Sequence, residues 1–249
     1  MNHPGVGCAV RTEFRGSKPQ SPPAQASAAR SRKFKIQNSK FKIESCTACP
    51  RLAAFLDESR RRFPDYFCKP VPPFGDDHPR LLIVGLAPGL HGANRSGRPF
   101  TGDYAGVLLY ETLHAFGYAS RPQSVAVDDG LVLTGCRISN AVKCVPPENK
   151  PETSEIKRCN VWLRDELAAL PATTAILALG LIAHKAVLMA LGLKQSQYAF
   201  AHNALHCLPE GRRLHDSYHC SRYNTQTRRL TPEMFQAVFQ RIQEATPCP

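Results

Sequence analysis

The sequence predicts an α/β fold built on a mostly parallel four-stranded sheet, and two observations lead to that prediction. Four apolar runs have the length and residue content of buried strands, and segments with helical patterns alternate with them. Strands and helices in alternation produce a parallel sheet that is covered on both faces. The expected strands are 81–85, 131–142, 173–180 and 212–219.

Five segments carry helix signals. The first runs from Pro50 to Phe63, since proline suits a first turn and basic residues suit a last turn. The second begins near Tyr104 and ends before Gly117, a glycine suited to a helix C-terminus. The other three are expected behind Thr153 or Ser154 as far as Leu170, from Leu181 to Leu191 before Gly192, and from Pro232 to Glu244 behind Thr231.

Composition excludes a membrane-spanning protein. None of the apolar runs in the 249 residues approaches the roughly 18 residues that a bilayer requires, and the N-terminus does not resemble a signal peptide. We therefore expect a cytoplasmic protein that acts as a monomer without a membrane partner. The formal net charge of +12 favours a polyanionic partner such as nucleic acid.

Much of that charge lies at the N-terminus. Residues 1–44 contain nine basic and two acidic residues, which leaves only five net positive charges for the rest of the chain. Residues 1–44 are rich in Ser, Pro, Ala and Gln, which do not build a hydrophobic core. We therefore expect a basic, disordered extension over 1–44 and one folded domain over 45–249.

A glycine-rich segment follows the first strand. It reads GLAPGLHGANRSGRPFTGD, from Gly85 to Asp103. It lacks the Gly-Lys-Ser/Thr ending of a P-loop and the G-x-G-x-x-G of a dinucleotide site. Long ordered loops are usually functional, and ligands bind beyond the carboxyl ends of parallel strands. The loop shares that edge with Asn140 and with His219 to Ser221, so we predict a ligand site there.

Four of the ten cysteines have the spacing of a metal site. Cys46 and Cys49 form C-x2-C, and fourteen residues separate Cys144 from Cys159. Two such pairs form a possible thiolate tetrad in a reducing compartment. Zinc and a [4Fe-4S] cluster both accept four thiolates, so spacing leaves both open. Most of the other six cysteines are interpreted as buried apolar residues or incidental thiols.

The chain resembles the uracil-DNA glycosylase superfamily, specifically its iron-sulfur family 5, also called type B. The resemblance rests on CTACPRL, on the glycine-rich segment, on NAVKCVPPENKP, on Cys159 and on SYHCSRYNTQTRRLT, and it spans about Cys46 to Ala245. It implies a three-layer α/β/α fold and removal of damaged bases from DNA. It also implies a structural [4Fe-4S] cluster on the four cysteines, and so selects iron over zinc.

The resemblance also assigns roles around the base. Phe100 stacks on the flipped uracil, and Gly85 to Gly89 form close backbone walls. Asn140 presents a donor and an acceptor to the uracil edge. His219 donates a hydrogen bond to uracil O2, where negative charge gathers as the glycosidic bond breaks. Judged without the family, Phe100 is an ordinary core residue and Asn140 an ordinary turn residue.

Two positions depart from the family pattern. Ala87 stands where related families place a carboxylate or other polar residue, and Cys220 stands where the His-Pro-Ser motif has proline. The loss of proline is expected to loosen the loop that carries His219. Asp103 is the remaining carboxylate of the loop, either to position water and support the electron-poor sugar or to cap the following helix.

A second group of residues is expected to face the DNA backbone. Ser221 and Arg222 are predicted to contact phosphate, and Arg228 and Arg229 extend the same surface.

The sequence therefore predicts a monofunctional glycosylase that releases uracil, and also hypoxanthine or xanthine, from DNA and leaves an abasic site. No lysine stands where the motifs would place a Schiff-base nucleophile. Two alternatives stay open: a non-catalytic iron-sulfur protein that binds DNA, and a zinc-stabilised nucleotide-binding module.

Overall fold

The computed structural model describes residues 43–245, so the extension predicted for 1–44 lies almost entirely outside the described residues. Six strands form one sheet in the order β1-β3-β2-β4-β6-β5. They are β1 (Phe74–Gly75), β2 (Leu81–Gly85), β3 (Cys136–Asn140), β4 (Ala175–Leu179), β5 (Leu205–Cys207) and β6 (Arg213–Ser217). The four central strands are parallel, and β1 and β5 pair antiparallel at the two edges.

The central four strands are those that the sequence predicts, although three of them are shorter than expected. The prediction missed both edge strands. These contain only two and three residues, too few to show the alternation of polar and apolar side chains that identifies a strand.

Helices surround the sheet. They are α1 (Pro50–Arg62), α2 (Ala93–Ser96), α3 (Tyr104–Ala115), α4 (Thr153–Ala169), α5 (Leu181–Ala190), α6 (Arg222–Gln226) and α7 (Pro232–Glu244). The glycine-rich segment is thus interrupted by the short helix α2, which the sequence did not predict. Within residues 43–245, none of the helices has the length and apolar content to cross a bilayer.

The ends of the helices follow their local sequence signals, with one difference. Thr231 caps α7 by accepting from the Met234 N–H at 3.2 Å, and Gly117 ends α3 with a φ of 76°. Helix α4 was expected to be capped by Thr153 or Ser154. Its cap is instead Glu152, which with Glu155 forms a capping box.

Apolar side chains fill both faces of the sheet. Ile83 of β2 packs in a cluster with side chains of α3 and α7, whereas its neighbour Val84 packs in a cluster with side chains of α4 and α5. Alternate residues of a strand point to opposite faces. The three-layer α/β/α architecture is therefore confirmed, with the carboxyl ends of four parallel strands at one edge.

Candidate active site

A cavity of about 500 Å³ lies at that carboxyl edge. Its walls come from the loop after β2, from the end of β3, from the β4–α5 turn and from the segment after β6. Eight residues predicted from the sequence line it: Ala87, Gly89, Phe100, Asp103, Asn140, His219, Ser221 and Arg222. Gly85, the ninth, lies directly behind Phe100 and Asn140, and an added Cβ there would approach both side chains within 3 Å.

Phe100 is held in a conformation that is unusual for an aromatic residue. Its φ is 55°, in the left-handed region, and its side chain is buried. The Tyr110 hydroxyl donates to the carbonyl of Pro99 at 2.8 Å and fixes the preceding peptide. The ring centroid lies 6.0 Å from that of His219, at an interplanar angle of 30°. One face of the cavity is therefore a fixed aromatic plane.

Asn140 supplies a polar edge to the cavity. It is the last residue of β3, paired in register with Gly85, and it is only 3% exposed. Its Oδ1 is buried and has no hydrogen-bond partner among the described residues. A buried, unpaired oxygen costs about 1–3 kcal/mol. A bound group that donates to Asn140 would remove this cost.

His219 faces the cavity as a neutral imidazole. Burial lowers its pKa to about 4, so near neutral pH one ring nitrogen carries a proton that can be donated. The Asn224 side-chain amide donates to the His219 carbonyl at 2.8 Å and fixes the main chain. Cys220 follows in place of proline, and its side chain is completely buried.

The two carboxylate oxygens of Asp103 have different surroundings. Its Oδ1 accepts from the Gly106 N–H at 2.8 Å, so it caps α3 as one of its two predicted roles requires. Its Oδ2 faces Gly89 and Gly92. Burial raises the pKa of this carboxyl, and the hydrogen bond from Gly106 partly opposes the rise. The second carboxylate oxygen is available to a ligand in the cavity.

The segment after His219 forms a basic rim. Ser221 caps α6 through Asn224. The Arg222 guanidinium lies 4.9 Å from the Tyr104 ring centroid. Arg229 lies over another ring, that of Tyr218. Arg222 lines the cavity, whereas Arg228 and Arg229 do not, so the predicted cluster begins in the cavity wall and continues on the surface beside it.

Sequence reasoning missed two parts of the wall. The β4–α5 turn contributes the segment 179–182, and Asn149 contributes from the opposite side. The β4–α5 turn could have been predicted from the sequence, because β4 ends at the same edge of the sheet as β2 and β3. Asn149 lies in a short 3-10 turn, and its left-handed φ of 57° is not visible in the sequence.

The four predicted cysteines surround a second, small cavity of about 20 Å³. Cys46 and Cys49 precede α1, Cys144 follows β3, and Cys159 lies in α4. All four are free thiols in the described chain. Burial raises the pKa of Cys49, Cys144 and Cys159. The structure thus brings together two pairs that are about a hundred residues apart.

A second group of possible metal ligands lies elsewhere in the described chain. His184, His206 and Asp216 place three ligand atoms within 4.8 Å of one another, and hydrogen bonds of 2.8 and 2.9 Å link them. The four cysteines offer sulfur donors around one cavity, a set that both zinc and a [4Fe-4S] cluster accept.

Comparison with known proteins points to one family. The family model described as the uracil DNA glycosylase superfamily matches residues 72–243. A type-5 uracil-DNA glycosylase of Thermus thermophilus is 48% identical over 198 residues, which cover 78% of this chain and 90% of the relative. Type-5 uracil-DNA glycosylases of Pyrobaculum aerophilum and Mycobacterium leprae are 40% and 43% identical over 83% and 79% of this chain, and 92% and 90% of the relatives.

Proposed function

The chain belongs to the uracil-DNA glycosylase superfamily, and from that premise we propose that it hydrolyses the N-glycosidic bond of uracil in DNA and leaves an abasic site. Its relatives bear the name of that activity. The observation that carries the proposal is the cavity itself, in which the buried, unpaired oxygen of Asn140 lies beside an aromatic plane. The proposed substrates extend to other deaminated bases such as hypoxanthine and xanthine.

The base is held by shape and by one amide. An enzyme that acts on a base must extrude it from the duplex into a closed pocket. Phe100 provides the stacking face, and Gly85 leaves the space in which Phe100 and Asn140 approach each other. The Asn140 oxygen accepts from uracil N3–H, and its amide N–H donates to the neighbouring carbonyl.

His219 acts on the leaving base. As the bond between C1′ and N1 breaks, its electron pair moves onto the uracil and charge accumulates on O2. A neutral imidazole N–H in a water-poor site stabilises this charge. The low pKa of His219 keeps the ring neutral, so it donates a hydrogen bond without transferring a full charge.

Asp103 acts on the sugar and the water. Loss of the base leaves an oxocarbenium-like sugar, which a nearby carboxylate stabilises and whose attacking water it orients. Ala87 lines the wall without a polar side chain, so this role falls to Asp103. The water oxygen bonds to C1′, and its proton balances the negative charge of the departed base. No lysine lines the cavity in the described chain, which supports hydrolysis without a Schiff base.

The four thiols are proposed to hold a [4Fe-4S] cluster. All four donors are cysteine sulfurs that share one cavity, and the resemblance to the iron-sulfur family selects iron over zinc. The Lys143 N–H donates to Cys159 Sγ at 3.3 Å, as main-chain amides do toward cluster thiolates. Such a cluster supplies a structural crosslink between α1, the segment after β3 and α4.

DNA is proposed to lie against the basic rim. Ser221 and Arg222 contact the phosphates that flank the flipped nucleotide. One chain supplies every wall of the cavity, so we propose that the protein acts as a monomer. Its cytoplasmic location stays a prediction.

The deciding experiment uses the full-length protein and a duplex with one uracil, with the matching thymine duplex as control. We expect alkali to cleave the uracil strand only, and we expect brown protein that contains about four irons. Binding of the uracil duplex without base release would favour the non-catalytic DNA-binding alternative. Colourless protein that contains one zinc would favour the zinc alternative.

A further inference from the structure

A buried polar network lies between the thiol group and the candidate active site. Lys143 is 1% exposed, and its Nζ donates to Ser139 Oγ at 2.5 Å. The Ser139 hydroxyl donates in turn to Glu166 Oε2 at 2.7 Å, and Nζ lies 3.6 Å from the same carboxylate oxygen. The side chains of a lysine, a serine and a glutamate thus contact one another inside the protein.

Two members of this network directly precede a residue of one of the two sites, and the third lies in the same helix as Cys159. Ser139 directly precedes Asn140 in β3, and Lys143 directly precedes Cys144. The main chain of Lys143 also donates to Cys159 Sγ at 3.3 Å. Glu166 lies in α4, two helical turns beyond Cys159. The network therefore spans the short distance between base recognition and the thiols.

Net stability does not account for the network, because buried ion pairs contribute little net stability over apolar replacements. Both charged side chains are almost fully removed from water, with side-chain exposures of 2% and 7%. Glu166 Oε1 has no partner among the described residues. The Ser139–Glu166 hydrogen bond and the Lys143–Glu166 ion pair attach β3 and the segment after it to α4. The Lys143–Ser139 hydrogen bond holds the lysine in place between them, so the network orients this segment relative to α4.

We infer that Lys143, Ser139 and Glu166 are positioning residues that hold Asn140 to Cys144 as one rigid segment. Through them, the orientation of the Asn140 amide toward the base depends on the attachment of this segment to α4. The main chain supports the same conclusion, since the Ala141 N–H donates to Gly85 and the Lys143 carbonyl accepts from Val71. The inference rests on the proposed role of Asn140 in uracil recognition.

The test replaces both charges with apolar groups of similar size, Lys143→Met together with Glu166→Leu. This avoids leaving one charge buried without a partner. The matched control is Arg62→Met together with Glu58→Leu, on α1. That ion pair has a length of 3.6 Å, but its two side chains are 61% and 52% exposed.

Four quantities are measured on the iron-loaded full chain: iron content, amide hydrogen exchange over 136–146, affinity for an abasic-site duplex, and single-turnover uracil release. We expect at least tenfold slower release and faster exchange, since small misplacements of a binding group slow catalysis strongly. Iron content and abasic affinity should stay unchanged, because an abasic site has no base to meet Asn140. The control pair should match wild type in all four.

Two results would overturn the inference. One is wild-type exchange and release in the double variant. The other is a parallel fall in iron, abasic affinity and release, which would indicate a general structural role. If the double variant fails to fold, Ser139→Ala removes only the central hydroxyl and should show the same pattern more weakly. Wild-type protein without uracil release would refute the proposed function, while hydrogen exchange would still decide whether the network fixes this segment.

Discussion

Replacing Gly85 with alanine tests the geometry of the candidate active site most directly. An added Cβ would lie 2.5 Å from Asn140 Oδ1 and 2.6 Å from Phe100 Cζ, whereas ordinary contact begins at 3.4 Å. Both side chains must therefore retreat by nearly 1 Å from positions that the surrounding fold has fixed. Overpacking of this kind destabilises a protein by about 1–3 kcal/mol.

The expected effect on catalysis is larger than the effect on stability. A misplacement of about 1 Å at a binding group costs on the order of a hundredfold in rate. We therefore expect Gly85→Ala to release uracil about a hundredfold more slowly in single-turnover experiments, while its affinity for an abasic-site duplex stays close to wild type. Thermal melting of the same protein reports the stability change.

Gly89→Ala provides the control for folding. Gly89 belongs to the same loop, but the nearest atom to its added Cβ is Asp103 Oδ2 at 3.9 Å, an ordinary contact. This variant should melt like wild type. The reasoning is refuted if Gly85→Ala releases uracil within twofold of the wild-type rate, because Phe100 and Asn140 would then tolerate displacement or take no part in recognition.

Three further predictions concern the charged and ligating side chains. Asp103→Asn should keep the α3 cap, since Asn and Asp cap about equally. It should release uracil at least tenfold more slowly, which corresponds to about 1.4 kcal/mol of barrier stabilisation. A release rate within twofold of wild type, at an unchanged melting temperature, would leave Asp103 as a cap only. Burial raises the pKa of Asp103 and lowers that of His219 to about 4. The rate of uracil release should therefore fall as acid protonates Asp103, without a titration step near pH 6.5. His219→Ala should slow uracil release about a hundredfold, and a titration step near pH 6.5 that this variant removes would contradict the neutral ring. Cys144→Ser should lose iron and melt at a lower temperature. Cys136→Ser, which changes a buried cysteine that does not line the thiol cavity, should keep its iron. Equal iron in both variants would refute the tetrad.

The sequence predicted β2 and β4 because both strands are buried on both faces and are therefore apolar throughout. The other two central strands, β3 and β6, contain buried polar residues and were located by the alternation of strands with helical segments. The sequence also located the site, because strand ends and the long loop after β2 point to the same edge. Asn140 is the last residue of β3, and His219 lies two residues beyond β6, so both follow from strands that could be identified. The edge strands β1 and β5 could not be found, since their few residues pair only because a neighbouring strand is already in place.

The buried network of Lys143 could not be predicted from the sequence, for a different reason. A lysine after a strand is normally a solvated surface residue, and nothing near it in the chain indicates otherwise. Its burial depends on Glu166, 23 residues later, and on the packing of α4 against β3. Likewise, Glu152 caps α4 because Glu155 reaches back to its main chain, which outweighs the preference for Thr or Ser at that position.

The backbone of Phe100 carries a consequence for how this protein can change. A side chain other than glycine at a φ of 55° is strained by about 1–3 kcal/mol. Glycine at this position would relieve the strain but would remove a buried aromatic ring from the core cluster, a loss of about 3–5 kcal/mol. Stability and base recognition therefore both retain the ring, and a more stable form of this protein must find its extra stability elsewhere in the chain.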